Sequence, residues 1–233
     1  MMGPCAVRGG RACRGGRLAV AAVLLAGLGG CGTSVPVRYY TLTPPSAPVA
    51  SGAARMLVEV LPVAMPERLN RPELVLNGPE GRLEVRQSDR WVAPLADEIA
   101  QVVDEALWRK LAAADSYRAP TASSTLPQYR LSLHVERFDA DPDLAATVDA
   151  SWTIRRLPQG LSATCRARVK AALASFSPQG AAGGLALASA DLAGLIADSL
   201  AHLDGGWTQV CPGGVVTLSG DIPTLSRPTE KQS

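Results

Sequence analysis

Apolar and polar residues alternate along much of the chain after residue 36, which is the pattern of half-buried β-strands. The alternation is clearest over residues 128–138. Gly78-Pro79-Glu80-Gly81 separates two short apolar segments and predicts a hairpin turn. The extended segments predicted in this way are 37–42, 56–63, 74–77, 82–87, 128–138, 144–155, 162–174 and a short one at 215–218. The three between 128 and 174 are predicted to form an antiparallel meander.

Two segments instead repeat their apolar residues at spacings of three and four, which indicates amphipathic helices. The first has an apolar stripe of Leu95, Ile99, Val102, Val103, Ala106, Leu107 and Leu111, with Asp97, Glu98, Gln101, Asp104 and Glu105 on its other side. The second follows a Gly/Ala-rich connection at 177–184, carries Leu185, Leu192, Leu195, Ile196 and Leu200, and ends at Gly205-Gly206. Helices separated by blocks of strands predict an α+β fold, with an antiparallel or mixed sheet and two main amphipathic helices packed on one face.

The first thirty residues have the layout of a secretory signal. Four arginines, in a stretch with no acidic residue, precede an apolar run at 18–28. Two glycines follow that run. This run is much shorter than the stretch of about 20 residues that spans a bilayer. Leu28-Gly29-Gly30-Cys31 resembles the lipobox of bacterial lipoproteins. The resemblance implies cleavage before Cys31 and covalent diacylglycerol and N-acyl (palmitate-type) chains on that cysteine. An ordinary secretory signal with a chance cysteine is the alternative.

Removal of the signal changes what the composition implies. The 23 basic residues fall to 19 against 21 acidic ones, so the net charge becomes −2 instead of +2. No basic stripe remains to suggest nucleic-acid binding. Gly32 follows Cys31, and the inner-membrane retention signal of lipoprotein sorting has an aspartate at that place, so we expect the periplasmic face of the outer membrane. The predicted organisation is a signal peptide at 1–30, a lipidated N-terminus with first strand and loop at 31–54, an α+β domain at 55–210 whose sheet the first strand joins, and a Gly/Pro-rich tail at 211–233.

Two cysteines remain after removal of the signal and acylation of Cys31. Cys165 and Cys211 lie in an oxidising compartment and are candidates for one disulfide. Such a bridge would stabilise the fold by roughly 3–4 kcal/mol on the chain-entropy estimate. Sequence alone leaves open whether the two cysteines are close enough to bond.

The sequence contains no motif that predicts catalysis or a bound metal or cofactor. His134 alternates with apolar residues on a predicted strand, which places it on the solvent face, and His202 lies in the last turn of a predicted helix. Asp139, Asp141 and Asp143 have the spacing of a calcium loop, but Pro142 and the missing later ligands favour a turn. We therefore predict that the protein is not an enzyme and holds no metal. A Ser/His/Asp set assembled by the fold is the remaining enzymatic alternative.

Three short motifs resemble the PqiC/YmbA-type auxiliary lipoproteins of ABC-type transport systems. They are Tyr40-Thr41-Leu42, the segment 65–75 with Pro66, Leu69, Arg71 and Pro72, and Arg90-Trp91-Val92-Ala93-Pro94-Leu95. The resemblance extends to about residue 200, and the two internal motifs are its specific part. It implies a non-catalytic accessory subunit of an intermembrane lipid-transport system that supports envelope integrity. The implied partners are a mammalian-cell-entry (MCE) domain protein and an ABC permease and ATPase, with self-assembly into a homo-oligomer as a further candidate.

Two questions stay open at this point. An independent envelope lipoprotein that binds a small ligand or assists envelope assembly is the alternative function. The motif residues Pro66, Asn70, Arg71, Pro72 and Trp91 form a candidate interaction or structural motif. The prolines fix backbone angles, and Trp91 is expected to pack the helix start onto the sheet. We favour these structural roles over direct partner contact. For Arg71 the sharper hypothesis is a buried or interface ion pair, since its planar fork matches a carboxylate.

Overall fold

The computed structural model describes residues 36–42, 52–117, 125–212 and 217–219. The predicted signal peptide and Cys31 lie outside these residues. The strands are β1 Arg38–Tyr40, β2 Met56–Val60, β3 Glu73–Asn77, β4 Leu83–Trp91, β5 Ala113–Asp115, β6 Gln128–Asp141, β7 Ala145–Arg156, β8 Ser162–Ala172 and β9 Thr217–Ser219. The helices are α1 Leu95–Leu111 and α2 Pro178–Asp204, with a single 3₁₀ turn at Pro79–Gly81. This is the predicted α+β class.

The larger sheet has six strands in the order β5-β2-β6-β7-β8-β9. β2 runs parallel to both β5 and β6, whereas β6, β7, β8 and β9 are antiparallel, so the sheet is mixed. The predicted meander is confirmed. β6 extends three residues beyond the predicted end at 138. A β-bulge between Val135 and Arg137 shifts the alternation and keeps Phe138 and Ala140 on the buried face.

The smaller sheet has three strands in the order β1-β4-β3. β3 and β4 form the predicted hairpin around Gly78–Gly81, and β1 lies parallel to the end of β4. Glu80 and Gly81 both have positive φ in this turn. The first strand therefore pairs with a strand of the main domain, although it does so in the smaller sheet and not in the six-stranded one.

The first predicted helix is confirmed, and the second is longer than predicted. The expectation of a Gly/Ala-rich connection at 177–184 is wrong, since α2 already begins at Pro178. Ser177 caps it by accepting a hydrogen bond from the Gly180 N–H at 3.1 Å, and proline suits the first helical position. The small residues let the helix approach the sheet closely. A Cβ on Gly184 would collide with the Leu173 side chain and lie 3.2 Å from the Ala146 Cβ.

Both helices cover the same face of the six-stranded sheet and contact each other. That face contributes Tyr129, Leu131, Leu133, Val135, Val148, Ala150, Trp152 and Ile154 to one continuous core. Within the described part of the chain, α2 is the one helix long and apolar enough to cross a membrane by length and composition. Because 61% of its most apolar window is buried inside the domain, burial in the core accounts for that composition.

The C-terminal region is attached to the edge of the larger sheet. Cys165 on β8 and Cys211 are joined by a disulfide with a Cα–Cα distance of 5.5 Å, within the range that a disulfide requires. Beyond it, β9 pairs with Ser162–Thr164 of β8, where a short strand was predicted. The segment after 211 thus adds a strand to the domain instead of being only a tail.

Candidate functional site

The two internal motifs, separated by some twenty residues in sequence, meet where β3 pairs with β4. The Trp91 N–H donates a hydrogen bond to the Pro72 carbonyl at 2.8 Å. Glu73 lies between the basic residues of the two motifs, with its carboxylate 3.4 Å from Arg71 Nε and 3.6 Å from an Arg90 nitrogen. We call this region, together with the strand β1 beside it, the motif junction.

Trp91 anchors the motif junction in the core. Its side chain is only 4% exposed and packs edge-to-face on Phe138, with ring centroids 6.1 Å apart. Leu95, the first residue of α1, and Leu185 of α2 line the same small cavity beside Trp91. That cavity measures about 10 Å³, which is at most the space of one water molecule. A side chain this buried has no surface to offer a partner, so Trp91 holds the helix start against the sheet.

The loop at 65–72 is a compact turn that leads into β3. The Leu69 N–H donates to the Pro66 carbonyl at 2.9 Å and the Asn70 N–H to the Glu67 carbonyl at 3.1 Å, while the Leu69 side chain is buried. Asn70 and Pro72 are exposed. The Arg71 side chain is 41% exposed, so its ion pair with Glu73 is a half-exposed one and contributes little stability. This loop is the part of the motifs that solvent and partners can reach.

β1 is fastened to β4 through the buried carboxylate of Asp89. Arg38 donates two hydrogen bonds to it, at 2.8 and 3.0 Å, and the Tyr40 hydroxyl donates a third at 3.0 Å. The hydrogen bond to Asp89 raises the pKa of Arg38, while burial and the bond to Asp89 raise the pKa of Tyr40. Charge-assisted hydrogen bonds of this kind are stronger than neutral ones. The first strand is therefore held by side chains as well as by its backbone pairing with β4.

A second carboxylate, that of Glu98, fastens the residues that follow β1. Its Oε2 accepts hydrogen bonds from the Leu42 N–H and from the Thr41 hydroxyl, both at 2.8 Å. The expectation that Glu98 lies on the polar side of α1 is wrong, because its side chain is only 1% exposed. Glu98 lies three residues after Leu95 and four before Val102, so helical spacing alone puts it on the buried stripe.

Neither Asp89 nor Glu98 was identified as important from the sequence. For Glu98 the sequence signal is its helical spacing from Leu95 and Val102. For Asp89 it is the position two residues before the buried Trp91, on the same face of the strand. Both indicate burial but not the partner, because the partners Arg38, Tyr40, Thr41 and Leu42 are some fifty residues away in the chain.

The described residues contain no arrangement that points to catalysis. His134 is exposed on the outer face of β6, and His202 stacks on Trp207 with ring centroids 4.5 Å apart. Within the ranges that the structure describes, no three His, Cys, Asp or Glu side chains come together as a metal site would require. The contacts of the motif junction join the N-terminal strand, the hairpin and the start of α1 to one another.

The sequence matches the family model described as "ABC-type transport auxiliary lipoprotein component" over residues 40–197. The chain belongs to this family. The match begins at Tyr40 and spans both internal motifs, which confirms the resemblance drawn from them. The family is one of auxiliary transport components and not of known enzymes, and its members are lipoproteins of the cell envelope that associate with an ABC transport system. No curated protein matches the sequence closely enough to be counted as a relative.

Two solved structures share the fold. A crystal structure of an uncharacterised protein superposes with a TM-score of 0.58 at 17% identity, covering 71% of this chain and 99% of the other. Protein XCC0632 from Xanthomonas campestris, assigned to the DUF330 family, superposes with a TM-score of 0.52 at 18% identity, covering 72% of this chain and 97% of the other. At these identities the likeness concerns the fold alone.

Proposed function

We propose that the protein is an outer-membrane-anchored, non-catalytic accessory subunit of an MCE/ABC-type intermembrane lipid-transport system, held at the periplasmic face by acyl chains on Cys31. Its partners would be an MCE-domain protein and the ABC permease and ATPase, and a homo-oligomer is a compatible state. The family membership supports the association with an ABC transporter. The lipobox and Gly32 support the anchor and its membrane.

The observation that carries the proposal is that two buried carboxylates hold β1 and the residues directly after it on the domain. Arg38 follows Cys31 by seven residues, and β1 is tied to Asp89 while the next two residues are tied to Glu98. Two or three acyl chains hold a protein stably on a membrane. A force on that anchor therefore acts directly on the folded core instead of being absorbed by a long linker. Such an attachment suits a subunit that holds a transport machine against a membrane.

The alternative function, an independent lipoprotein that binds a small ligand, has less support at the motif junction. The cavity beside Trp91 has room for about one water molecule. Ligand pockets in proteins commonly measure ~300–1,000 Å³. The motif residues either pack inside the domain, as Trp91 does, or lie on one exposed loop, which suits a protein partner better than a ligand.

The anchor is tested by metabolic labelling with an alkyne analogue of palmitate, followed by separation of the inner and outer membranes. The wild-type protein should carry the label and sediment with the outer membrane. Cys31→Ala should lose both properties. Cys13→Ala is the matched control, since that cysteine lies within the predicted signal peptide, and it should behave as wild type. Labelling that survives in Cys31→Ala, or an unlabelled wild type, would overturn the anchor.

A further inference from the structure

The direction of β1 decides which end of the domain faces the anchoring membrane. β1 is parallel to β4, and Arg38 is in register with Asp89. The chain therefore enters β1 from the side on which β4 begins, which is the side of the β3–β4 turn. From Asp89 back to Leu83 there are six residues of strand, or about 20 Å at ~3.3 Å per residue.

The chain between the anchor and β1 is too short to move the domain away from the membrane. Cys31 and Arg38 are seven residues apart, and an extended chain covers at most ~3.6 Å per residue, so the greatest reach is about 25 Å. The greatest reach of this segment therefore exceeds the distance from Asp89 back to the β3–β4 turn by only about 5 Å. The headgroup layer of a bilayer is itself about 5–7 Å thick, and any bend in the chain brings the domain closer.

Other loops reach the same end of the domain. Asn77, which pairs with Leu83 across the hairpin, donates a hydrogen bond to Asp141 at 2.6 Å, at the start of the β6–β7 turn. In that turn the Leu144 carbonyl accepts a hydrogen bond from the Leu173 N–H at 2.8 Å. Leu173 packs against Gly184 in the first turns of α2. A continuous set of contacts therefore connects three loops at one end.

This end of the domain exposes three leucine side chains, one from each of the three segments that meet there. Leu83 is 54% exposed, Leu144 46% and Leu187, one helical turn after Gly184, 60%. The exposed charges nearby include Glu80, Arg82, Asp143 and Lys170, two acidic and two basic, which do not form a basic patch. Such a surface suits zwitterionic phospholipid headgroups and does not favour anionic lipid.

We infer that the end formed by the β3–β4 turn, the β6–β7 turn and the first turns of α2 lies against the phospholipid headgroups of the membrane that holds Cys31. This inference rests on the proposed acyl anchor. The opposite end, with the β7–β8 turn, then points into the periplasm and is the end available to a partner protein. β7 is twelve residues long and separates the two turns by about 40 Å at ~3.3 Å per residue.

Fluorescent probes on the acylated, full-length protein test the orientation. Glu80→Cys and Gln159→Cys place a thiol on an exposed position of the β3–β4 and β7–β8 turns respectively. Because Cys165 and Cys211 are bonded to each other and Cys31 is acylated, the new thiol is the free one in the mature chain. Each variant carries an NBD fluorophore and is reconstituted in phosphatidylcholine/phosphatidylethanolamine vesicles that contain a headgroup spin-labelled lipid.

The expected result is blue-shifted, strongly quenched emission at position 80 and unquenched emission at position 159. Inserting twenty Gly/Ser residues after Thr33 adds a mean reach of about 25 Å and should lower the quenching at position 80. Equal quenching at both positions, greater quenching at 159, or no effect of the insertion would overturn the inference while leaving the anchor intact. Intact-mass measurement of the same samples separates the two claims, since an unacylated Cys31 would overturn the proposed anchor and this inference with it.

Discussion

Glu98 accepts a hydrogen bond from the backbone N–H of Leu42 at 2.8 Å, although 56 residues separate them in the chain. A buried carboxylate in the first turn of α1 thus holds the residues that follow the N-terminal strand. With Asp89 it fixes the entry of the chain into the domain at two points. This arrangement holds β1 and the two residues after it firmly on the folded domain.

Glu98→Ala should lower the free energy of unfolding by about 2 kcal/mol, because it leaves the Leu42 N–H and the Thr41 hydroxyl without their charged acceptor. Urea denaturation followed by circular dichroism measures the change. Asp97→Ala is the matched control: Asp97 is exposed in the same helical turn, so its loss should cost under about 1 kcal/mol. Equal effects of the two substitutions would contradict the role given to Glu98.

Adjacent glycines of α2 should respond in opposite directions to the same substitution. Gly183→Ala adds a Cβ into open space and should stabilise the helix by about 0.5–1 kcal/mol, the difference in helix propensity. Gly184→Ala forces a Cβ against Leu173 and Ala146 and should destabilise the protein by about 1–3 kcal/mol through overpacking. Thermal unfolding of both variants is the measurement, and stabilisation by Gly184→Ala would show that α2 lies farther from the sheet.

Asp149 should contribute stability that disappears in acid. Burial raises the pKa of its carboxyl, but the hydrogen bonds from Arg168 and Arg166 outweigh burial and hold the pKa below its usual range. A lowered folded-state pKa gives stability that is present above the unfolded value of about 3.9 and lost as the pH falls through the folded value. The difference in unfolding free energy between wild type and Asp149→Asn should therefore be larger at pH 7 than at pH 3.

The control for this comparison is Asp143→Asn, in the exposed β6–β7 turn. That substitution should change stability little at either pH. A difference between wild type and Asp149→Asn that is the same at both pH values would contradict the electrostatic role of the arginines.

Arg71→Ala should separate folding from partner contact. Because the Arg71 side chain is half-exposed, its loss should change the unfolding free energy by less than about 1 kcal/mol. We expect reduced recovery of the transporter components from cells that carry this variant. Arg86→Ala is the control, since Arg86 is equally exposed and paired with Glu84 but lies outside the motifs. Misfolding of Arg71→Ala would assign the residue a purely structural role.

Local patterns in the sequence predicted most of the fold. Alternation over 128–138 and the three-four spacing from Leu95 identified β6 and α1, because each pattern reflects one buried face. The start of α2 was missed because glycine and alanine suggest a connection, whereas the Ser177 cap and close packing against Leu173 favour a helix. Local patterns could not show that β1 joins a separate small sheet. That placement depends on hydrogen bonds that Asp89 and Glu98 accept from residues about fifty positions away in the chain.

The motifs were recognised from the sequence, but their arrangement was not. Pro72 and Trp91 lie in different motifs, and only the β3–β4 hairpin brings the carbonyl of one to the N–H of the other. The sequence showed only that these residues belong to motifs that resemble those of one family. The structure separates those that pack inside, such as Trp91, from those on the exposed loop, such as Asn70.

The most direct test of the account is to purify a C-terminally tagged protein, expressed from its own gene, from detergent-solubilised envelopes and to identify its companions by mass spectrometry. If the protein is their accessory subunit, an MCE-domain protein is recovered with an ABC permease and ATPase, and these partners are lost in Cys31→Ala but not in Cys13→Ala. Purification of a stably folded, acylated protein with none of these partners, from cells that produce them, would contradict the proposal that it serves as their anchored accessory subunit.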